Sequence, residues 1–215
     1  MSILTLNDTH PELLKEWNYN KNDILPSTIT YGSKRKIHWI CSKGHEWIAS
    51  LNSRTNKSRR TPTGCPICSN KKILNGYNDL ATTHPYLIDE WDFSCNFLLP
   101  SEVSFGSKKK VSWKCIHGHS WITSIEKRTN GQECPICSNK KVLINFNDLN
   151  TTHPQLIKEW DFEKNTILPT SITYGSNIRV YWKCEKNHRW IATVKNRTSQ
   201  LVSSNCPYCS MKRKI

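Results

Sequence analysis

Four residues of metal-ligand type recur three times along this chain in one order, and no other feature constrains its fold as much. Cys41 and His45 are followed by Cys65 and Cys68, Cys115 and His119 by Cys134 and Cys137, and Cys184 and His188 by Cys206 and Cys209. Other landmarks keep the same register. His10-Pro11, His84-Pro85 and His153-Pro154 each open a segment that ends in Glu16-Trp17, Glu90-Trp91 or Glu159-Trp160. A Leu-Pro pair follows, and then Tyr31-Gly32-Ser33, Phe105-Gly106-Ser107 or Tyr174-Gly175-Ser176. All nine tryptophans and nine of the ten cysteines fall into this threefold pattern. Self-similarity of this kind marks an array of small supersecondary units. The expected modules span 1–72, 73–141 and 142–215.

Units of this size have thin cores. Only 36% of the 215 residues are hydrophobic, and small domains with little apolar surface need a metal, disulfides or a partner to fold. The opening MSILTLNDTH has no basic stretch leading into an apolar run, so no signal peptide is expected. No stretch approaches the roughly 20 apolar residues of a membrane span, and no membrane partner is expected. The reading is an intracellular, reducing compartment, where thiols bind metal rather than pair as disulfides.

Within each repeat the local pattern is legible. Proline suits the first turn of a helix, and Leu13, Leu14 and Trp17 mark one face of a two-turn helix, repeated at Leu87, Ile88, Trp91 and at Leu156, Ile157, Trp160. The recurring His-Pro histidines are expected to cap it. Ile37-Trp39-Cys41 and His45-Trp47-Ala49-Leu51 alternate at period two, which predicts a hairpin with a buried face. Gly44, Gly118 and Asn187 stand just before each histidine, where a tight turn takes φ > 0. A polar loop is expected next, and then a short helix beginning at Cys-Pro-x-Cys. The linkers carry apolar pairs and an aromatic, Tyr77 or Phe146, unlike a flexible tether. Packed modules rather than loosely strung ones are therefore expected.

The ligand pattern is that of zinc. Zinc takes four tetrahedral N/S ligands, and Cys-x3-His on a turn with Cys-x2-Cys on a second turn supplies them. Three Zn2+ ions per chain are expected. Four protein ligands leave no open coordination position, so the role is structural. Cys206-Pro207-Tyr208-Cys209 alone also fits a redox dithiol, but three copies with an upstream Cys-x3-His do not. His117 is set aside as a ligand because Lys43 and Lys186 hold its place in the other repeats, and Cys95, outside the register, is expected to be a free thiol.

With the ligands in place, HPELLKEW, ITYGSKRKIHWIC, GHEW and CPICSNKK resemble the zinc-ribbon, treble-clef domain family found in tandem in large DNA viruses, bacteria and plants. The resemblance spans nearly the whole chain. It implies small α+β metal-stabilised modules: three tandem treble-clef zinc fingers, each a short helix, a β-hairpin and a helix starting at CPxC. It also raises a viral factory or virion interior as the location. It delivers no function, since treble clefs serve many roles.

The formal net charge of +14 points to a polyanion. Nucleic acid is the expected partner, DNA more than RNA, with no small-molecule substrate and no catalysis. Basic residues recur at Lys34-Arg35-Lys36, Lys108-Lys109-Lys110 and Arg179, and at Lys71-Lys72, Lys140-Lys141 and Lys212-Arg213. Arg54, Arg128 and Arg197, each followed by threonine, are either nucleic-acid contacts or braces to Glu16, Glu90 and Glu159. The tryptophans are expected in the core, with base stacking as the alternative. Two other functions compete: a protein-interaction or virion-structural module, and a nuclease-related enzyme. The sequence leaves no recurring His/Asn/Asp set for a hydrolytic metal, which weighs against the second.

Overall fold

A computed structural model of the chain describes residues 4–56, 63–199 and 205–210. The chain divides into two compact units, Met1–Val111 with Ser124–Thr129 and Ser112–Thr123 with Asn130–Ile215, so the division falls inside the second repeat.

In the first unit, helix α1 (Leu6–Thr9) runs into a 3₁₀ helix at Pro11–Glu16. The expected two-turn helix is therefore wound more tightly. Leu13 N–H donates to the His10 carbonyl at 3.1 Å and Trp17 N–H to that of Leu14 at 3.2 Å. The segment starts at a proline and ends at an extended Trp17, and 3₁₀ winding is used in short pieces of this kind. Leu13 and Trp17 still share a buried face.

Strands β1 (Lys36–Ile40) and β2 (Glu46–Ser50) pair antiparallel, with Ile37 opposite Ala49 and Trp39 opposite Trp47. Alternate residues enter the core, as period two predicts. The connecting turn closes with Gly44 N–H on the Cys41 carbonyl at 2.9 Å, and Gly44 takes φ 80°. Where the sequence reads as a polar loop, a five-residue helix α2 (Leu51–Thr55) forms and buries Leu51. The core joins Leu6, Leu13, Trp17, Ile37, Trp39, Trp47, Leu51 and Ile67. Trp17 meets Trp39 edge to face, their centroids 5.5 Å apart. Such pairs add about 0.5–1.5 kcal/mol beyond burial.

The second repeat begins in this unit with α3 (Leu80–Thr83). Its N-cap, Asp79, accepts from the Thr82 N–H at 2.9 Å and from the Thr82 hydroxyl at 2.8 Å. In the first repeat the two residue types exchange places. Thr5 precedes α1, and Asp8 accepts from its N–H at 2.9 Å and its hydroxyl at 2.6 Å. One carboxylate–hydroxyl pair thus fastens the helix start in either order. Strands β3 (Lys110–Lys114) and β4 (Ser120–Ser124) make the second two-stranded sheet, and α4 (Ile125–Thr129) follows.

In the second unit, α5 (Leu149–Thr152) leads to a 3₁₀ helix at Pro154–Glu159, a hairpin of β5 (Arg179–Lys183) and β6 (Arg189–Thr193), and α6 (Val194–Thr198). Trp182 lies opposite Trp190 and meets Trp160 edge to face at 5.4 Å. Asn187 turns the hairpin at φ 63°, doing the work of glycine.

The linkers are ordered. The buried Asn78 donates to the Ile67 and Lys72 carbonyls at 2.9 and 3.0 Å and accepts from Leu74 N–H at 2.7 Å. Asn147 repeats this with Ile136, Lys141 and Leu143. Each linker is thereby tied to the Cys-x2-Cys turn before it. Within the second unit, Asn139 also donates to the Tyr174 hydroxyl at 2.9 Å, while its carbonyl accepts from the Thr173 hydroxyl at 3.2 Å. All nine tryptophans are buried, as the core reading expects, so none offers a face for stacking. Among the described residues no helix is long and apolar enough to cross a membrane.

Candidate metal centre

Two turns build each site. The hairpin turn brings Cys41 next to His45 because Cys41 N–H donates to the His45 carbonyl at 3.0 Å. The Cys65–Ser69 segment forms one helical turn, Ser69 N–H donating to the Cys65 carbonyl at 3.1 Å. The helix expected to start at Cys-Pro-x-Cys is thus a single turn. It stops because Asn70 takes φ 55° and Asn139 φ 57° in the same place, a left-handed step that ends a helix.

The side chains converge as the spacing predicts. In each repeat the three sulfurs and one imidazole nitrogen all lie within 4.8 Å of one another, and the three groups are Cys41, His45, Cys65, Cys68; Cys115, His119, Cys134, Cys137; and Cys184, His188, Cys206, Cys209. Ideal Zn–S and Zn–N bonds at tetrahedral angles place sulfurs about 3.8 Å apart and sulfur about 3.6 Å from nitrogen. The Cys41 and Cys68 sulfurs are 3.8 Å apart. His45 Nδ1 lies 3.5, 3.3 and 3.8 Å from the sulfurs of Cys41, Cys68 and Cys65. The second repeat gives 3.8 Å between sulfurs, and 3.5, 3.4 and 3.8 Å to His119 Nδ1. In the third repeat the sulfurs of Cys184 and Cys209 are 3.9 Å apart. Sulfurs at these separations are far from a disulfide bond of about 2.05 Å.

The electrostatics call for a cation. Burial, and then the facing sulfurs of its own cluster, push the Cys68 thiol up to about 11, Cys137 to about 12 and Cys209 to about 11. Three thiolates this close cannot coexist without a positive charge between them. The residues therefore fit zinc, held through three sulfurs and Nδ1 of one histidine. The chain carries three Cys3His sites, one per repeat, each closed by four protein ligands as a structural zinc requires.

Aromatic rings cover the histidines. Tyr77 meets His45 edge-on at 4.3 Å and Phe146 meets His119 at 4.4 Å, both from the following linker. In the third repeat Tyr208 lies 5.6 Å from His188. This covering was missed in the sequence, although Tyr77 and Phe146 both stand nine residues past the last cysteine of their site. His117 lies outside the ligand group, its ring centroid 6.1 Å from that of His119. Cys95 is exposed and unbonded to another cysteine.

The Arg-Thr pairs have a structural assignment. Arg54 bonds Glu16 at 2.6 Å, Arg128 bonds Glu90 at 2.8 Å and Arg197 bonds Glu159 at 2.7 Å. The side chains of Arg54 and Arg197 are only 3% exposed, and that of Arg128 12%. The Arg54 guanidinium lies 4.5 Å from the Trp39 ring and 5.3 Å from that of Trp47. These arginines brace the first segment against the hairpin, one of the two roles the sequence allows them, and have little surface left for phosphate. The neighbouring threonines donate to the carbonyls of Tyr31, Phe105 and Tyr174 at 2.6, 2.9 and 2.5 Å.

The histidines of His-Pro do not cap. His10, His84 and His153 occupy the N-cap positions of the 3₁₀ helices without a side-chain cap bond. Each Nδ1 instead lies 3.0 Å from the preceding threonine hydroxyl, and each ring packs beside Tyr31, Phe105 or Tyr174. Of the basic residues, Lys34, Lys36, Lys71, Lys72, Lys108, Lys109, Lys110, Lys140, Lys141 and Arg179 are exposed. Arg35 is exposed too but paired with Asp23 at 2.8 Å. Lys212 and Arg213 lie outside the described residues.

A protein of Escherichia phage T5 described as "Putative endonuclease" is 29% identical to this chain over 108 residues, covering 50% of the chain and 33% of that protein. The chain thus spans about a third of the length of this relative. The sequence also matches the family described as "Probable Treble clef zinc finger domain" three times, at 13–71, 87–140 and 156–212. Three matches that each enclose one Cys3His cluster leave a plain conclusion: the chain belongs to this treble clef zinc finger family, as three tandem copies.

Proposed function

We propose that the chain is a non-catalytic zinc-stabilised repeat protein that binds nucleic acid through lysine-rich surfaces, with little sequence preference. The observation that carries this is the surplus of uncommitted positive charge. Lys108, Lys109 and Lys110 lead into β3 exposed, and Lys71, Lys72, Lys140 and Lys141 stand exposed after the Cys-x2-Cys turns. Lysine meets phosphate as a point charge and lacks the planar fork that reads guanine. The name of the T5 relative supports a nucleic-acid setting, with the repeats serving as the part that holds the polymer. Among the described residues the groups of three or more metal-ligating side chains are the three closed zinc sites, which have no open position for a hydrolytic water.

The test is binding of the zinc-loaded chain to labelled DNA and RNA across a salt series. If about six phosphates are neutralised on a duplex, log K falls with log salt at a slope near −5. Replacing Lys108, Lys109 and Lys110 with glutamate weakens binding and flattens that slope. A salt-independent response, or no binding at low salt, refutes the proposal, and Mg2+-dependent cleavage of the probe refutes its non-catalytic part.

A further inference from the structure

With the tryptophans buried and the Arg-Thr pairs assigned, one recurring group has no role yet: the histidine of His-Pro beside the aromatic of the Tyr/Phe-Gly-Ser triplet. The rings of His10 and Tyr31 lie 6.0 Å apart at 34°, those of His84 and Phe105 5.4 Å at 30°, and those of His153 and Tyr174 5.5 Å at 36°. The aromatic is held rather than free, since the threonine of Arg-Thr clamps its carbonyl in every repeat. It nevertheless keeps much of its ring in solvent: Tyr31 is 47% exposed, and Phe105 and Tyr174 are each 38% exposed. Folding gains little from fixing an aromatic and leaving it half wet, whereas a stacking platform needs that arrangement.

In the first repeat this corner opens into a cavity of ≈ 550 Å³, bordered by Leu4, Thr9, His10, Tyr31, Asn52 and Asn56. The volume falls within the range of small-ligand sites, about 300–1,000 Å³, and the mixture of rings with a few neutral polar groups is typical of them. Among the described residues of the lining, none is an acid, a lysine or an arginine. Asn52 accepts from the Ser50 hydroxyl at 2.8 Å through its amide oxygen, and its NH2 is not used in that bond. An amide of this kind pairs with the edge of a base. The corresponding residues in the other repeats are Glu126 and Lys195, so the amide at this position is particular to the first.

We propose that the His10–Tyr31 cavity is a nucleobase-binding subsite, and that the ligand is single-stranded nucleic acid with one base seated against Tyr31. This rests on the nucleic-acid reading above and names the form of polymer that reading leaves open. Phosphates on either side of the seated base lie along the chain's lysines, while a base paired inside a duplex cannot enter. The Lys34-Arg35-Lys36 cluster begins three residues after Tyr31.

The experiment compares a short labelled single strand of mixed sequence, the duplex of the same sequence, and an abasic strand of equal charge. All are titrated with the zinc-loaded full chain at several salt concentrations. Wild type binds the mixed-sequence strand more tightly than the abasic one. Tyr31→Leu, which keeps bulk but removes the π face, weakens the mixed-sequence strand by about 5- to 100-fold. It leaves the abasic strand, the duplex and the salt slope unchanged, because the ring carries no charge. Tyr31→Phe binds as wild type. Should Tyr31→Leu lower the zinc content, Asn52→Ala is the deciding variant and is expected to weaken only the mixed-sequence strand. Equal binding of mixed-sequence and abasic strands, or a zinc-loaded Tyr31→Leu or Asn52→Ala chain indistinguishable from wild type, overturns the subsite and leaves the lysine reading standing. Failure of all three probes to bind at low salt overturns the nucleic-acid reading itself.

Discussion

Replacing Glu16 by glutamine tests how far the buried arginine brace contributes to holding a zinc site. The Arg54 side chain is 3% exposed and its Glu16 partner 33% exposed. Breaking a fully buried ion pair on one side costs about 3–5 kcal/mol, because the charge left behind stays desolvated. Here the cost is smaller. Water already reaches a third of Glu16, and the faces of Trp39 and Trp47 remain next to the guanidinium, an interaction of about 2 kcal/mol when desolvated. About 2–3 kcal/mol is therefore expected. Folding and metal binding are coupled in a module this small, so the loss appears as a zinc affinity about 30- to 150-fold lower at one site of three. Competition with a colorimetric chelator should give a biphasic release curve, one equivalent leaving early and two leaving as in wild type. Arg54→Lys should weaken the same site, since a compact ammonium cannot both reach Glu16 and lay a flat cation against the indoles. The pair Glu16→Leu with Arg54→Met should cost less than the two single changes added together. A release curve for Glu16→Gln that superimposes on wild type would refute the bracing argument.

Further outcomes follow from the metal sites and the caps. Purified chain should carry three zinc equivalents and lose cooperative unfolding on chelation, because binding of this kind contributes about 10–16 kcal/mol in comparable peptides; a chelator-indifferent melt would contradict this. Zinc affinity should climb with pH past the ordinary thiol range. Metal-free Cys68 and Cys209 are pushed up to about 11, so at neutral pH they hold protons that zinc must displace, and each displaced proton gives about tenfold per pH unit. An affinity that levels off near pH 9 would count against it. Asp148→Ala removes the N-cap of α5, where the carboxylate accepts from Thr151 N–H at 3.0 Å, and should cost about 0.5–2 kcal/mol, read from denaturant melts of the zinc-loaded chain. No change in midpoint would remove that cap from the argument.

The residues whose geometry is set by covalent spacing were the easiest to read. Cys-x3-His and Cys-x2-Cys can each place two ligands on one turn whatever surrounds them, and the hairpin followed from period-two alternation ending on Cys41. Gly44, Gly118 and Asn187 were legible for the same local reason, and all three take φ between 63° and 80°. What escaped depends on energies the pattern does not encode. Leu13 and Trp17 share a face in an α-helix and also in a 3₁₀ helix, so periodicity could not separate the two. The turn after Cys65 stops at Asn70, whose left-handed conformation is a choice available to asparagine rather than a requirement. The Arg-Thr pairs were ambiguous because a guanidinium suits phosphate and carboxylate equally. Only burial between two indoles assigns Arg54 to Glu16. The helix α2 was hidden because Leu51-Asn52-Ser53-Arg54-Thr55 is polar apart from its first residue; its burial comes from the hairpin beneath it.

Tyr77 and Asn78 carry a practical lesson for anyone cutting this chain apart. A fragment ending at Lys72 would keep all four ligands of the first site, yet it would leave His45 without its aromatic cover and the Ile67 carbonyl without the Asn78 amide, held by the Asn70 N–H alone. Such a piece should bind metal more weakly than its ligand count implies. Fragments that run on through Asp79 should recover the difference, so a bench definition of one finger ought to end where the next helix begins.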